Sequence, residues 1–165
     1  MAAPVIITPN VGQESVWDYP RPPRVEPFHG LIRVRFGGVL IAETRRAQRV
    51  LEKSHPPTYY ISMHDIAAKY LKKADGESYC EWKGIAKYFS LVVDNKIAER
   101  AAWYYPNPTP EFAVLKNHVA FYASAVDECT VNGEQVRPQP GGFYGGWITS
   151  NIVGPFKGEP GTEDW

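Results

Sequence analysis

Neither sign of charge is in excess in this chain. Across 165 residues, 18 Lys and Arg balance 18 Asp and Glu. A nucleic-acid or membrane-surface protein that works through bulk charge is thereby excluded. No apolar run approaches the about 20 residues of a membrane span. Cysteine is scarce, with Cys80 and Cys129 far apart, and neither has a second Cys or a His close by. The histidines His29, His55, His64 and His118 are scattered as well. Structural zinc needs four ligands, usually in close pairs, so no metal site and no cofactor are expected. The apolar start, Met1 to Asn10, has no basic residue ahead of it and does not read as a signal peptide. Reduced thiols and a cytoplasmic, soluble protein are therefore the expectation. The chain has no P-loop, no G-x-G-x-x-G, no H-E-x-x-H and no G-x-S-x-G elbow. It also has no D-x-D or E-x-E pair of the kind that two-metal nucleotidyl transfer needs.

What is present is turn residues and aromatics: 14 glycines, 15 prolines, 10 tyrosines, 7 phenylalanines and 5 tryptophans. Six prolines between Pro4 and Pro27 forbid a long helix, while Val16, Trp17 and Tyr19 are too apolar for a free linker. Residues 1–28 read as an extended, proline-rich arm packed on a single domain of residues 29–165. Ile32, Val34 and Phe36 alternate with Arg33 and Arg35, the period of a half-buried strand. Gly37-Gly38 then turns into Val39–Ala42, giving a hairpin. Thr44 is positioned to cap a helix to about Lys53 with Ala47, Val50 and Leu51 inward. The run Thr58–Ile61 reads as a strand. Ser62 with Asp65 resembles a capping box for a second helix, carrying Ile66, Ala67, Tyr70 and Leu71 inward. Strands are expected at Glu77–Trp82, Ile85–Asp94, Ile97–Tyr105 and His118–Val126, and a hairpin around Asn132-Gly133. The fold class is α+β, with mostly antiparallel sheets, two short helices and irregular wrapping ends.

Four segments carry a resemblance: Val16-Trp17-Asp18-Tyr19-Pro20-Arg21-Pro22-Pro23, Ser54-His55-Pro56-Pro57-Thr58-Tyr59-Tyr60, Cys80-Glu81-Trp82-Lys83-Gly84, and Pro138 to Trp147. From Trp17 to Trp165 the sequence resembles the domain-of-unknown-function family 427 in its long bacterial form. The resemblance implies a β-tent architecture, two small antiparallel sheets meeting like the sides of a tent. Relatives in that architecture, such as B-type methionine sulfoxide reductases and the thalidomide-binding domain of cereblon, often carry zinc on two C-x-x-C knuckles. This sequence lacks both knuckles. The family's nucleotidyltransferase-like label finds no carboxylate cluster here, and a shared fold does not confer function.

His55, on a loop stiffened by Pro56 and Pro57, is a candidate for ligand binding or acid–base work. Arg46 could grip an anion bidentately, or form an ion pair with Glu43 or Glu52. Alternation places Cys80, Trp82 and Gly84 on one strand face and Glu81 and Lys83 on the other. Cys80 is then either a small buried hydrophobe or a thiolate activated by Lys83 or a histidine. His118 and Tyr122 share a face. Trp103 and Tyr105 share another and, with Tyr59, Tyr60, Tyr144 and Trp147, could form an aromatic cage or simply core. The glycine-flanked Phe143-Tyr144 segment is expected to fold over the His55 loop, placing His55, Tyr59, Tyr144 and Trp147 in one concavity with Arg46 at its rim.

The leading expectation is a small-molecule ligand bound among Arg46, His55, Tyr59, Tyr60, Trp82, Trp103, Tyr122, Tyr144 and Trp147. The second is an enzyme with His55 or His118 as general acid or base, assisted by Lys83 or Cys80. The third is an interaction module that forms a homodimer through its arm and tail.

Overall fold

Hairpins dominate because the apolar residues alternate over most of the chain. The computed structural model describes residues 3–165. Strand β1 (Glu14–Ser15) and a 3-10 turn lead to β2 (Arg24–Phe28), β3 (Ile32–Phe36), β4 (Val39–Thr44), β5 (Ala47–Leu51) and β6 (Thr58–Ser62). Two more 3-10 turns precede a meander of β7 (Leu71–Cys80), β8 (Gly84–Val93) and β9 (Lys96–Tyr104). After the 3-10 stretch Pro110–Leu115 come β10 (His118–Phe121), β11 (Glu128–Val131) and β12 (Glu134–Gln135). Three two-residue strands finish the set: β13 (Arg137–Pro138), β14 (Trp147–Ile148) and β15 (Ile152–Val153).

The two expected helices do not form. Where the first was expected, β5 pairs with both β2 and β6. Ala47, Val50 and Leu51 are buried as a helix would bury them, so the apolar set fitted either period. Pairing on both sides then overrides helix propensity. At the second site the Ser62 hydroxyl does accept the His64 N–H, but it starts only the 3-10 turn Met63–Asp65. The Ala67 N–H then bonds the Ile41 carbonyl of β4 instead of continuing a helix. The strand expected from His118 stops at Phe121, where a 3-10 turn at Ala123–Ala125 takes over.

The main sheet has seven strands in the order β2-β5-β6-β10-β9-β8-β7. β2 therefore draws residues 24–28 of the arm into the sheet. β10 joins the two halves: His118 and Val119 pair with β6, while Ala120 and Phe121 pair with β9. A second sheet of four strands runs β12-β11-β3-β4. Successive side chains point to opposite faces of a strand, and here the two faces have separate cores. On one face Tyr59, Ile61, Leu91, Ala102, Val119 and Phe121 pack against Ile32, Val34, Ile41 and Cys129 of the four-stranded sheet. The other face carries Val50, Tyr60, Ala86, Tyr88, Trp103 and Ala120. Among the described residues no second sheet covers this face, and a concavity opens there.

Candidate functional site

Alternation in the main sheet puts Thr58 and Tyr60 of β6, Ser78 and Cys80 of β7, Ala86 and Tyr88 of β8 and Trp103 of β9 on the same face. These residues floor a cavity of about 250 Å³. The Trp103 indole N–H donates to the Tyr60 hydroxyl at 3.3 Å. The Tyr60 ring meets Trp103 nearly edge-on at 6.3 Å, and Tyr122 packs on Trp103 at 4.5 Å. Tyr105, just beyond β9, lies 6.3 Å from Tyr60. Burial pushes the Tyr60 and Tyr105 hydroxyls above the usual phenol range, and Tyr122 up to about 12. All stay protonated and able to donate at neutral pH.

The cover of the cavity is the segment from Gln139 to Gly145. The Tyr122 hydroxyl donates to the Phe143 carbonyl at 2.9 Å, and the Tyr144 ring meets His55 edge-on at 4.7 Å. Glycine is needed where this strap crosses the sheet. A Cβ on Gly145 would collide with the Trp103 ring, and one on Gly146 would lie 2.5 Å from the Pro56 carbonyl oxygen. No side chain fits at such distances.

Gln139 fixes the chemistry of His55. The Gln139 Oε1 accepts the Gly146 N–H at 3.0 Å and its Nε2 donates to the Lys157 carbonyl at 2.9 Å. A backbone N–H only donates and a carbonyl only accepts, so the amide has one possible orientation. Its Nε2 is then the atom 3.0 Å from His55 Nδ1. Nδ1 must accept, and the imidazole proton sits on Nε2, which lies 3.6 Å from Glu52 Oε2. Burial, reinforced by Lys157, Arg21 and Lys83, pushes His55 down to about 3. His55 is thus a neutral imidazole that presents an N–H. Burial also raises the Glu52 carboxyl, against the pull of Lys83, Arg21 and Lys157; Arg21 Nε stands 3.7 Å from it.

Lys83 follows the end of β7, in the turn to β8. The Thr109 N–H bonds the Lys83 carbonyl and the Thr109 hydroxyl bonds the Trp82 carbonyl. The turn breaks strand alternation, so Lys83 lines the same cavity as Cys80 and Trp82 instead of facing away from them. Its ammonium stands 5.7 Å from the Tyr105 ring and 5.8 Å from the Phe112 ring. Burial pulls its pKa down, but Tyr60, Cys80 and Glu52 outweigh that and the net shift is upward.

Of the residues singled out from the sequence, His55, Tyr60, Cys80, Trp82, Lys83, Trp103, Tyr122 and Tyr144 come together here. Four do not. Tyr59 and Trp147 pack on each other at 5.3 Å on the opposite face of the sheet, because Tyr59 alternates with Tyr60. The Trp147 indole is spent on the Phe121 carbonyl. Arg46 lies away from the cavity and forms a two-pronged ion pair with Asp65, both contacts at 2.9 Å, instead of pairing with Glu43 or Glu52. His118 stands at the start of β10 with Nδ1 3.0 Å from the Lys116 carbonyl. The sequence reading missed Glu52, Tyr88 and Gln139. Tyr88 was findable from its alternation with Ala86, whereas Glu52 was hidden by the helix expectation and Gln139 by its place between two prolines.

The two cysteines are unpaired, with Cys129 buried between the sheets. Among the described residues no three of His, Cys, Asp and Glu cluster to hold a metal, and no helix is long and apolar enough to cross a membrane. No curated protein matches the chain. Residues 24–132 match a family described as a domain of unknown function, DUF427. That span holds the cavity floor, His55 and Lys83, while the covering strap lies beyond it. The chain belongs to the DUF427 family.

Proposed function

We propose that this chain binds a small organic molecule in the aromatic cavity beneath the strap. The observation that carries the reading is a cavity of about 250 Å³ whose walls combine aromatic rings with convergent polar groups. Binding sites typically pair an apolar lining with a few fixed donors and acceptors. Here His55 Nε2–H, the Lys83 ammonium and the tyrosine hydroxyls are held by neighbours before any ligand arrives, which lowers the ordering cost of binding. The volume lies below the usual range of drug-sized sites, so the ligand is small. Every wall comes from one chain, and the reading needs no homodimer. We also read the two larger sheets as β-tent-like, the strap closing the side that the four-stranded sheet leaves open.

Between binding and turnover, His55 favours binding. A general base works best with a pKa near the operating pH, and burial takes His55 far below it. A neutral imidazole with a fixed tautomer is better suited to donating a hydrogen bond.

Native mass spectrometry of the chain purified gently from cells tests the proposal. Ala86 is buried in the cavity floor, so A86F fills it. The expected result is a mass in excess of the chain that is lost on denaturation and is absent from A86F. The bare chain mass from every growth condition, or an adduct that A86F retains, would overturn the reading.

A further inference from the structure

One charge in the cavity is buried without a direct ion pair. Lys83 is only 8% exposed, and among the described residues it takes part in none of the ion pairs. Glu52, which acts on it, is already held between Arg21 at 3.7 Å and His55 at 3.6 Å. Removing an ammonium from water is costly unless an opposite charge or strong acceptors meet it. An aromatic cage by itself suits cations, because ring faces are electron-rich. A buried ammonium inside the cage reverses that preference, since a second cation would face like charge at close range. Lys157, Arg21 and Lys83 all press His55 towards its neutral form; of the two carboxylates on the cavity wall, Glu52 faces Arg21 and Glu81 is exposed to solvent. His55 adds an N–H donor to the same wall.

Resting on the binding reading above, we propose that the ligand is a flat organic anion, its ring against Trp103 and Tyr60 and its carboxylate on the Lys83 ammonium. Lys83 serves as the anchor of that group and not as a covalent nucleophile. An amine attacks a carbonyl only when unprotonated, and the neighbours of Lys83 favour the charged form.

Three probes of one shape and different charge test this on the full chain by fluorine NMR: 4-fluorobenzoate, 4-fluorobenzamide and 4-fluorobenzylamine. A hydrogen bond to a charged group is worth about tenfold or more in affinity. The benzoate is expected to bind about tenfold or more tighter than the amide, and the amine more weakly than either. K83M and K83Q are expected to erase the preference by weakening the benzoate while leaving the amide within about twofold. The wild-type ratio stands even if a variant fails to fold. Equal affinity for benzoate and amide, preference for the amine, or an unchanged ratio in folded K83M overturns the anionic assignment and leaves the binding reading standing. No binding of any probe, or binding that A86F retains, overturns both.

Discussion

At the scale of single residues, His55 is the group whose environment most changes its chemistry. Its Nδ1 is taken by Gln139 and its ring is buried, so the folded chain refuses a proton until about pH 3. The unfolded chain accepts one near pH 6.5. Between those values the unfolded state binds more protons. Stability therefore falls as pH is lowered through this window, by up to about 1.4 kcal/mol per pH unit. Glu52, whose pKa is raised, pulls the other way, and Asp65, held low by Arg46, adds loss at the acid end. Replacing His55 isolates its share. H55N keeps an acceptor near the position of Nδ1 and removes the titration. Urea unfolding midpoints are expected to fall more steeply from pH 7 to pH 4.5 in the native chain than in H55N. Parallel profiles would show that His55 is not held neutral.

At the scale of elements, the strap and the turn into β8 matter more than any strand. The strap is pinned at Gly146, whose N–H bonds Gln139 and whose missing Cβ leaves room for Pro56. G146A must move either the Pro56 backbone or Gln139, breaking a buried hydrogen bond. A loss of about 1–3 kcal/mol is expected, read as a lower melting temperature together with loss of the His55–Tyr144 contact in NMR. An unchanged melting curve would mean that the strap rests only loosely on the sheet. The strands themselves were largely legible in the sequence. Ile32, Val34 and Phe36 can alternate only as a strand, and Asn132-Gly133 admits a tight hairpin turn. Ala47, Val50 and Leu51 satisfy both periods, and only the partners β2 and β6, distant in sequence, decide between them. Trp103, Tyr105 and Tyr60 were recognisable as aromatics of one surface. Lys83 was not, because a turn ends alternation at a point that side-chain pattern does not mark. Tyr59 and Trp147 were misplaced together, since Tyr59 and Tyr60 both look like cage residues until the register chooses one of them.

At the scale of the whole molecule, the ends of the chain hold the sheet's outer edge. Val16 is fully buried and Tyr19 nearly so, packed with Leu51 and Ile152. β1 pairs in parallel with β15, and the Trp17 indole donates to the Pro155 carbonyl at 2.9 Å. The arm thus ties the C-terminal segment to β5, and through β5 to the wall that bears Glu52. Deleting residues 1–20 is expected to cost at least about 3 kcal/mol, or about 6–12 °C in melting temperature for a chain of this size. A shift within about 2 °C would show the arm to be dispensable.

The tryptophans allow the central claim, that the aromatic cavity is where a ligand binds, to be tested in one spectrum. Trp82 and Trp103 line the cavity, Trp147 is buried on the opposite face of the sheet, and Trp17 and Trp165 pack on each other at the chain ends. Their five indole N–H signals in a proton–nitrogen correlation spectrum, followed during titration with 4-fluorobenzoate, report three separate regions. The expected result is that Trp82 and Trp103 shift in a saturable way while Trp17, Trp147 and Trp165 stay in place. Saturable shifts at Trp17 and Trp165 alone, or no shift at any indole, would contradict the account.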